Sequence, residues 1–461
     1  MAFEKTHEHD LLIPSQVPLE EHERSVSSLG LTTVVIGMAV QVTVFAILGP
    51  MTVTYSMMEL LMMFIVGSSC IALLWNITQD IGLKYGISFP VSVSATFGYK
   101  GAKIVSIIRL IPALIFFATN GFVGAQALNE VFKICFSFDN VYVALAINVV
   151  ALVAVTINGV KGIERVSTIC LPLLIIVGIY MMYVLLDTYN VSVMEMLAMK
   201  KTGTGESKSY LYGICVVIGF FSSVLMGAND ITKDCKIVGN KKGWFSMNKS
   251  YILVAIVGMI PFLTFYCILT CATVMIAGSE KDVMVTLSEL IQGRSVVLAL
   301  IIQIFIVVAQ LSTNTAANLL PNAIVLSNLF KKLSYKKAVI VAAVVATLFQ
   351  PWNYMDKLNF VITLFTATAG PAMGIIAIDY YVFRKRRLNV SELYKSKGIY
   401  KYTHGFNIAA VVAYVIGTGI SVVFFLDIAF FVGTIVSMAM YYFLAKAQGK
   451  KYPITTSPEI E

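Results

Sequence analysis

Charge is what this 461-residue sequence has least of: Asp, Glu, Lys and Arg make up 13% of it, about half of the ~25% usual in soluble proteins. That is too little to solvate the roughly three soluble domains that the length alone would suggest. Cysteine is sparse, seven residues with no framework spacing, and Cys267 and Cys271 have no further soft ligands near them. Of the four histidines, three lie in the first 22 residues and the fourth is His404. No apolar segment therefore offers an imidazole for a metal or a proton relay. Twelve Pro and 31 Gly exclude collagen-like and low-complexity chains. What is present is apolar: 58% hydrophobic residues and a mean hydropathy of +0.82. The composition describes a polytopic membrane protein.

A helix crosses a bilayer with about 20 apolar residues. Such runs lie near 29–54, 57–77, 104–132, 140–158, 166–187, 209–229, 251–277, 295–328, 337–350, 358–383, 406–425 and 428–447. Twelve spans is the expected count, with ten or eleven as the alternative. The first 27 residues lack the basic start, short apolar core and small-residue cleavage site of a removable leader, so the first span is expected to be retained. With twelve spans, 26 of the 34 Lys and Arg fall in alternate loops and the two tails. The positive-inside rule then makes both termini cytoplasmic, in a plasma (inner) membrane. The net charge of +9 is spread over every second loop rather than gathered in one patch, so no nucleic-acid partner is expected.

Ionisable residues are nearly absent from span interiors; Glu130, Asp230, Asp379 and Asp427 all lie near predicted span ends. Transport of an ion or ligand through this midplane would rest on uncharged groups. No nucleophile with an activating partner is visible, so no enzyme is expected. Spans one and six share the letters Val-Val-Ile-Gly, ending at Gly37 and Gly219, as a five-plus-five inverted repeat with broken helices would place them. Gln41 puts an amide one turn beyond Gly37, either as an interhelical hydrogen bond or as a site residue.

Span eight contains Ala309-Gln310-Leu311-Ser312-Thr313-Asn314-Thr315-Ala316-Ala317-Asn318. At helical spacing Ala309, Ser312, Thr313 and Ala316 share a face and Asn314 and Asn318 an adjoining one. Small and hydroxylated residues suit a packing seam; they also offer oxygen to a hard monovalent cation. Span three adds Phe116-Phe117-Ala118-Thr119-Asn120, and with Phe220 and Phe221 two aromatic walls are available. These either pack or sandwich a planar ring.

The strings Tyr85-Gly86-Ile87, Asn229-Asp230-Ile231-Thr232-Lys233, Ser312-Thr313-Asn314 with Asn318, Gln350-Pro351-Trp352, Ala377-Ile378-Asp379-Tyr380-Tyr381 and Lys397-Gly398-Ile399-Tyr400 carry a resemblance. The chain resembles the first nucleobase–cation symporter family, the hydantoin, allantoin, cytosine and purine permeases, most of all its sodium–hydantoin branch. The resemblance implies an all-α, LeuT-type fold of two inverted five-helix repeats plus two peripheral helices. Residues 1–27 would be a cytoplasmic tail, 28–188 and 207–383 the repeats, 406–447 the peripheral pair and 448–461 a second tail. Family sodium ligands would map onto the carbonyls of Gly37, Val40 and Ala309 and the hydroxyls of Ser312 and Thr313. Substrate contacts would map onto Gln41, Phe116, Asn120, Gly219, Phe220, Phe221 and Asn318. The sequence departs from the branch in having Phe where tryptophans flank the ring and Asn120 where Gln is common, which implies a reshaped slot.

The expected function is Na⁺-coupled import of a neutral planar nucleobase or hydantoin-like heterocycle by a monomer in the lipid bilayer. Proton coupling and a non-transporting ligand sensor are the alternatives.

Overall fold

In hydrocarbon every backbone N–H and C=O must be satisfied within the chain, which favours uninterrupted helix wherever the sequence is apolar. Each of the twelve apolar segments contains a helix in the computed structural model, which describes residues 9–40, 48–204, 208–237, 243–278 and 283–448. In chain order they are α1 (Ser28–Ala39), α2 (Met57–Tyr85), α3 (Ser94–Phe136), α4 (Val141–Thr156), α5 (Gly159–Thr188) and α6 (Tyr210–Met226). The second half comprises α7 (Trp244–Ala277), α8 (Val296–Leu329), α9 (Tyr335–Leu348), α10 (Leu358–Ala377), α11 (Ile408–Phe424) and α12 (Ala429–Gln448). Among the described residues, eight helices are long and apolar enough to cross a membrane unaided.

Local signals set the ends. The Ser27 hydroxyl accepts the Gly30 N–H at 3.0 Å to start α1, and Ser56 with Glu59 forms a capping box on α2. Gly86, at φ 66°, stops α2 in the left-handed region that a side chain would disfavour. Two π turns interrupt the regular ladder, Thr315–Leu319 inside α8 and Ile378–Phe383 after α10.

The helices sort into two four-helix bodies by packing. In one, α1 and α2 pack on α7 and α2 packs on α6; in the other, α3 packs on α4, α8 and α9. Helix α5 lies against both α1 and α8, α10 lies against α6, and α11 and α12 form a pair that covers α10. This is the LeuT-type architecture with two added helices.

One expectation needs correcting. Span six is not interrupted at Gly219: α6 runs through it to Met226, and the break falls at Gly227 and Ala228 before a single turn, Asn229–Thr232. Gly219 serves packing instead, because a methyl there would collide with the Thr366 hydroxyl of α10. In span one the helix does end where expected, with Val40 leaving helical geometry at ψ 71°.

The face that carries the basic loops is closed by buried ion pairs. Arg109 of α3 meets Asp230, after α6, at 2.5 Å, with side-chain exposures of 1% and 0%. Arg386 grips Asp80 of α2 at 2.8 and 2.9 Å, and Arg384 bonds Asp379 at 2.7 Å. Over these pairs lies the segment 9–27. Its Gln16 amide donates to the Ile324 carbonyl at 2.7 Å and the Ser327 hydroxyl at 3.1 Å. The Gln16 oxygen accepts from Ser88 at 3.2 Å and Asn328 at 3.0 Å. Val26 pairs in parallel with Cys235. Burial would raise the Asp10 carboxyl, but hydrogen bonds from Ser396 and the Lys331 charge outweigh it and hold it below the usual carboxylate range.

Candidate functional site

Two groups of uncharged residues lie at mid-depth, on the two sides of α8. The first joins α1 to α8. The Thr313 hydroxyl lies 2.5 Å from the Gly37 carbonyl oxygen and 3.0 Å from that of Val40. A hydroxyl has one proton and can donate it to one of these at a time. Three oxygens therefore converge around a single hydrogen, an arrangement that a small cation would satisfy better than the proton does. Ser312 stands beside it, sharing a 2.6 Å hydrogen bond with Ser167 of α5. Gly37 must be glycine, because a methyl there would overlap the Ser312 hydroxyl. Ala309 is buried one turn above Thr313 on α8.

The donor set is all neutral oxygen. That chemistry suits a hard monovalent ion, whereas a divalent or transition metal would call for carboxylate, imidazole or thiolate. Among the described residues no three His, Cys, Asp or Glu side chains gather into a metal-binding group. Ser167 escaped the sequence reading. Its only signal was a hydroxyl, next to that of Thr168, at the start of span five, and its distance from span eight, 145 residues, hid the pairing.

The second group lies between α3, α6 and α8. Asn120 is fully buried, and among the described residues neither its amide nitrogen nor its amide oxygen has a hydrogen-bond partner. Buried primary amides are normally paired, so an amide unsatisfied at both ends marks a place where a ligand or water supplies the partners. Asn318 donates to the Asn314 oxygen at 2.8 Å, and Asn314 donates in turn to the Phe117 carbonyl at 2.9 Å. Asn314 thus braces Asn318 against α3. Phe116 faces Phe220 with ring centroids 5.3 Å apart at 71°, and Phe220 meets Phe221 at 5.2 Å and 75°.

The aromatic geometry differs from a parallel sandwich. Enclosing a flat ring between two others requires two gaps of about 3.5 Å each, more than the 5.3 Å separating Phe116 and Phe220. The two rings instead meet edge to face, and a planar ligand would stack on one while the other turned aside. Phe220, rather than Phe221, is the ring in contact with Phe116. Gln41 lies outside the described residues, as does the C-terminal tail from 449 onward.

On the side away from the basic loops lies a cavity of about 500 Å³. Phe122, Gln126 and Asn129 line it from α3, and Gln303 and Ile306 from α8. The opposite approach is blocked by the ion pairs and the 9–27 segment.

Comparison with known proteins gives this geometry a family. The hydantoin permease of Microbacterium maritypicum is 30% identical over 454 residues, covering 97% of this chain and 92% of that protein. The allantoin permease of Bacillus subtilis is 24% identical, covering 93% and 92%. Among solved structures, Mhp1, a nucleobase-cation-symport-1 family transporter in a closed conformation with bromovinylhydantoin bound, superposes with a TM-score of 0.91 at 29% identity. That match covers 97% of this chain and 98% of Mhp1. The inward-facing conformation of Mhp1 gives 0.85. A Na⁺-coupled sialic acid symporter, at 15% identity and a TM-score of 0.63, shares the fold. Residues 18–445 match the family described as permease for cytosine/purines, uracil, thiamine, allantoin, and the chain is a transporter belonging to that family.

Proposed function

We propose that this protein is a secondary-active symporter that imports a neutral planar heterocycle of the hydantoin, allantoin or nucleobase type together with Na⁺. The observation that carries this reading is the fully buried amide of Asn120, without a partner among the described residues, on the helix that also carries Phe116, whose ring meets that of Phe220. A cyclic amide or imide presents an adjoining carbonyl and N–H, which a primary amide matches donor to acceptor. Asn318, held by Asn314, offers a second amide, and Phe116, Phe220, Phe221 and the Gly219 segment supply apolar walls. The bromovinylhydantoin bound to Mhp1 belongs to the same chemical class.

Sodium is assigned to the oxygens of Gly37, Val40, Ala309, Ser312 and Thr313. Helix α8 carries these hydroxyls and the substrate-side amides within seven residues, Ser312 to Asn318. An ion that locks α8 to α1 would therefore pre-order the amides, and the two affinities would rise together by linkage. The basic face is assigned to the cytoplasm of a plasma membrane from its charge, the working unit is taken as a monomer, and the repeats are taken as 28–188 and 207–383.

The test is uptake of labelled hydantoin, allantoin, uracil and cytosine into proteoliposomes under an imposed inward Na⁺ gradient. Uptake driven as well by a proton gradient in Na⁺-free buffer would refute the sodium assignment. No uptake of any ring under either gradient would refute the substrate class.

A further inference from the structure

Many of the cations on the basic face have partners inside the protein. Arg109, Arg384 and Arg386 are paired with carboxylates. Lys233 and Lys395 sit beside Asp234 and Glu392, and Arg24 donates to the carbonyls of Leu19 and Leu83. The corner between α8 and α9 is different. It reads Phe330-Lys331-Lys332-Leu333-Ser334-Tyr335-Lys336-Lys337, four lysines in seven residues, and the chain has no Asp or Glu between Glu289 and Asp356 to offset them. All four lysines are exposed. Lys331 donates to the Asp10 carbonyl. Lys332, Lys336 and Lys337 have no hydrogen bond or ion pair among the described residues.

The corner is fixed in shape. The Tyr335 hydroxyl donates to the Thr156 carbonyl at 2.8 Å, which ties it to the end of α4, and the Leu333 N–H donates to the Phe330 carbonyl at 2.8 Å. Helix α9 turns a small-residue face inward, where Ala338, Ala342, Ala343 and Ala346 join one cluster with Phe117 and Leu319. Its outer face is apolar and uncovered, with Ile340 47% and Val344 48% exposed. Lys336 and Lys337 stand one turn before Ile340 and Val341, at the head of that apolar stripe. Phe330, 60% exposed, adds an aromatic ring at the end of α8.

Four like charges held close together repel, and this corner contains no acid to relieve them. The positive-inside rule accounts for lysines on this side of the membrane, but not for their gathering on one ordered corner above an open apolar stripe. We propose that the corner binds an anionic phospholipid of the adjoining leaflet, its phosphate held by Lys332, Lys336 and Lys337 and an acyl chain lying along Ile340 and Val344. The partner is a lipid rather than a soluble phosphate, because only a lipid joins the negative charge to a chain that covers the stripe. The site belongs to the body that carries α8, and it does not depend on which ring is transported.

The experiment titrates the whole protein, purified in nonionic detergent, with phosphatidylglycerol or phosphatidylcholine of equal chain length, and bound lipid is read by native mass spectrometry. One lysine at a membrane surface strengthens binding of anionic lipid roughly fivefold. Combining Lys332→Gln, Lys336→Gln and Lys337→Gln should therefore weaken the first phosphatidylglycerol about 100-fold, with phosphatidylcholine unaffected. Melting temperatures in lipid-free detergent should match wild type, because none of the three lysines has a partner to lose. Arg at the same three positions keeps the charge and should keep the affinity. Lys385→Gln, Lys397→Gln and Lys401→Gln together remove three exposed lysines elsewhere on the same face, and that variant should bind as wild type does. Wild-type affinity in the first triple variant, an equal loss in the second, or a loss in the Arg variant overturns the proposal. Phosphatidylcholine bound by wild type as tightly as phosphatidylglycerol overturns it too, and so does displacement of the lipid by soluble glycerol phosphate.

Discussion

Replacing Asp230 with Asn should unlock the basic face of the transporter. Asp230 accepts the Arg109 guanidinium at 2.5 Å on one oxygen and the Phe89 N–H at 2.8 Å on the other. The guanidinium also donates to the Ser223 carbonyl at 2.8 Å and lies 4.8 Å from the centre of the Phe89 ring. A methyl at Gly227 would overlap it. The pair is sealed from solvent and joins the two four-helix bodies. Asn keeps the shape and removes the charge, stranding Arg109 in a dry site, at a cost of about 3–5 kcal/mol. When the face opens, water reaches Arg109 and the penalty disappears, so it falls on the closed state alone. At about 1.4 kcal/mol per tenfold change, the closed-to-open ratio should fall by roughly 10²- to 10³-fold or more. Cys235, buried beneath Val26 on this face, reports the opening. In a variant keeping that cysteine and no other, its alkylation by an impermeant maleimide should accelerate by about the same factor. Arg109→Met combined with Asp230→Leu removes both charges and should restore most of the protection, since an apolar pair in place of a buried ion pair is commonly neutral. An alkylation rate within twofold of wild type in Asp230→Asn, or a double variant as open as the single, would refute the reasoning.

Thr313→Val nearly keeps the volume but removes the oxygen that faces Gly37 and Val40; the Na⁺ concentration for half-maximal uptake should rise about 10-fold or more. Unaltered Na⁺ stimulation would move the ion elsewhere. Asn120→Leu eliminates two unpaired buried atoms, each costing about 1–3 kcal/mol. It should hold or raise the melting temperature while abolishing substrate binding by isothermal titration; retained affinity would exclude Asn120 from the site. Gln16→Ala deletes four side-chain hydrogen bonds worth about 0.5–1.5 kcal/mol each, so Cys235 alkylation should quicken without any change in Na⁺ affinity measured on the opposite face. Equal protection would mean that segment 9–27 rests on the closed face without holding it.

Much of this architecture was legible in the residues because a bilayer leaves few options. Each apolar run had to become helix, and the basic loops had to alternate. The Ser312 and Thr313 face of α8 could be read from spacing alone, since both residues and their neighbours are local in sequence. What stayed hidden depends on distant partners. Asp230 and Asp379 read as acids near span ends, yet both are buried and paired. Asp230 meets Arg109 from 121 residues away, and Asp80 meets Arg386 from 306. The break in span six was misplaced for a related reason. Glycine looks the same in a sequence whether it ends a helix, as Gly227 does, or makes room for a neighbour, as Gly219 does for Thr366. The unpaired state of Asn120 was equally invisible, because an orphaned amide is defined by what surrounds it.

The π turn at Thr315–Leu319 holds one more residue in its loop of hydrogen bonds than an α-helical turn would. It follows the hydroxyls that face α1 and contains the buried amide of Asn318, and so acts as a keyway in the shaft of α8. Deleting Ala317 would remove that surplus residue and let the helix wind regularly again, with Ser312 and Thr313 on one side and Asn322 on the other kept in phase. Only the turn itself would be redrawn, and with it Asn318, which sits inside it. The single surplus residue in α8 sets where the Asn318 amide stands without disturbing the helix on either side.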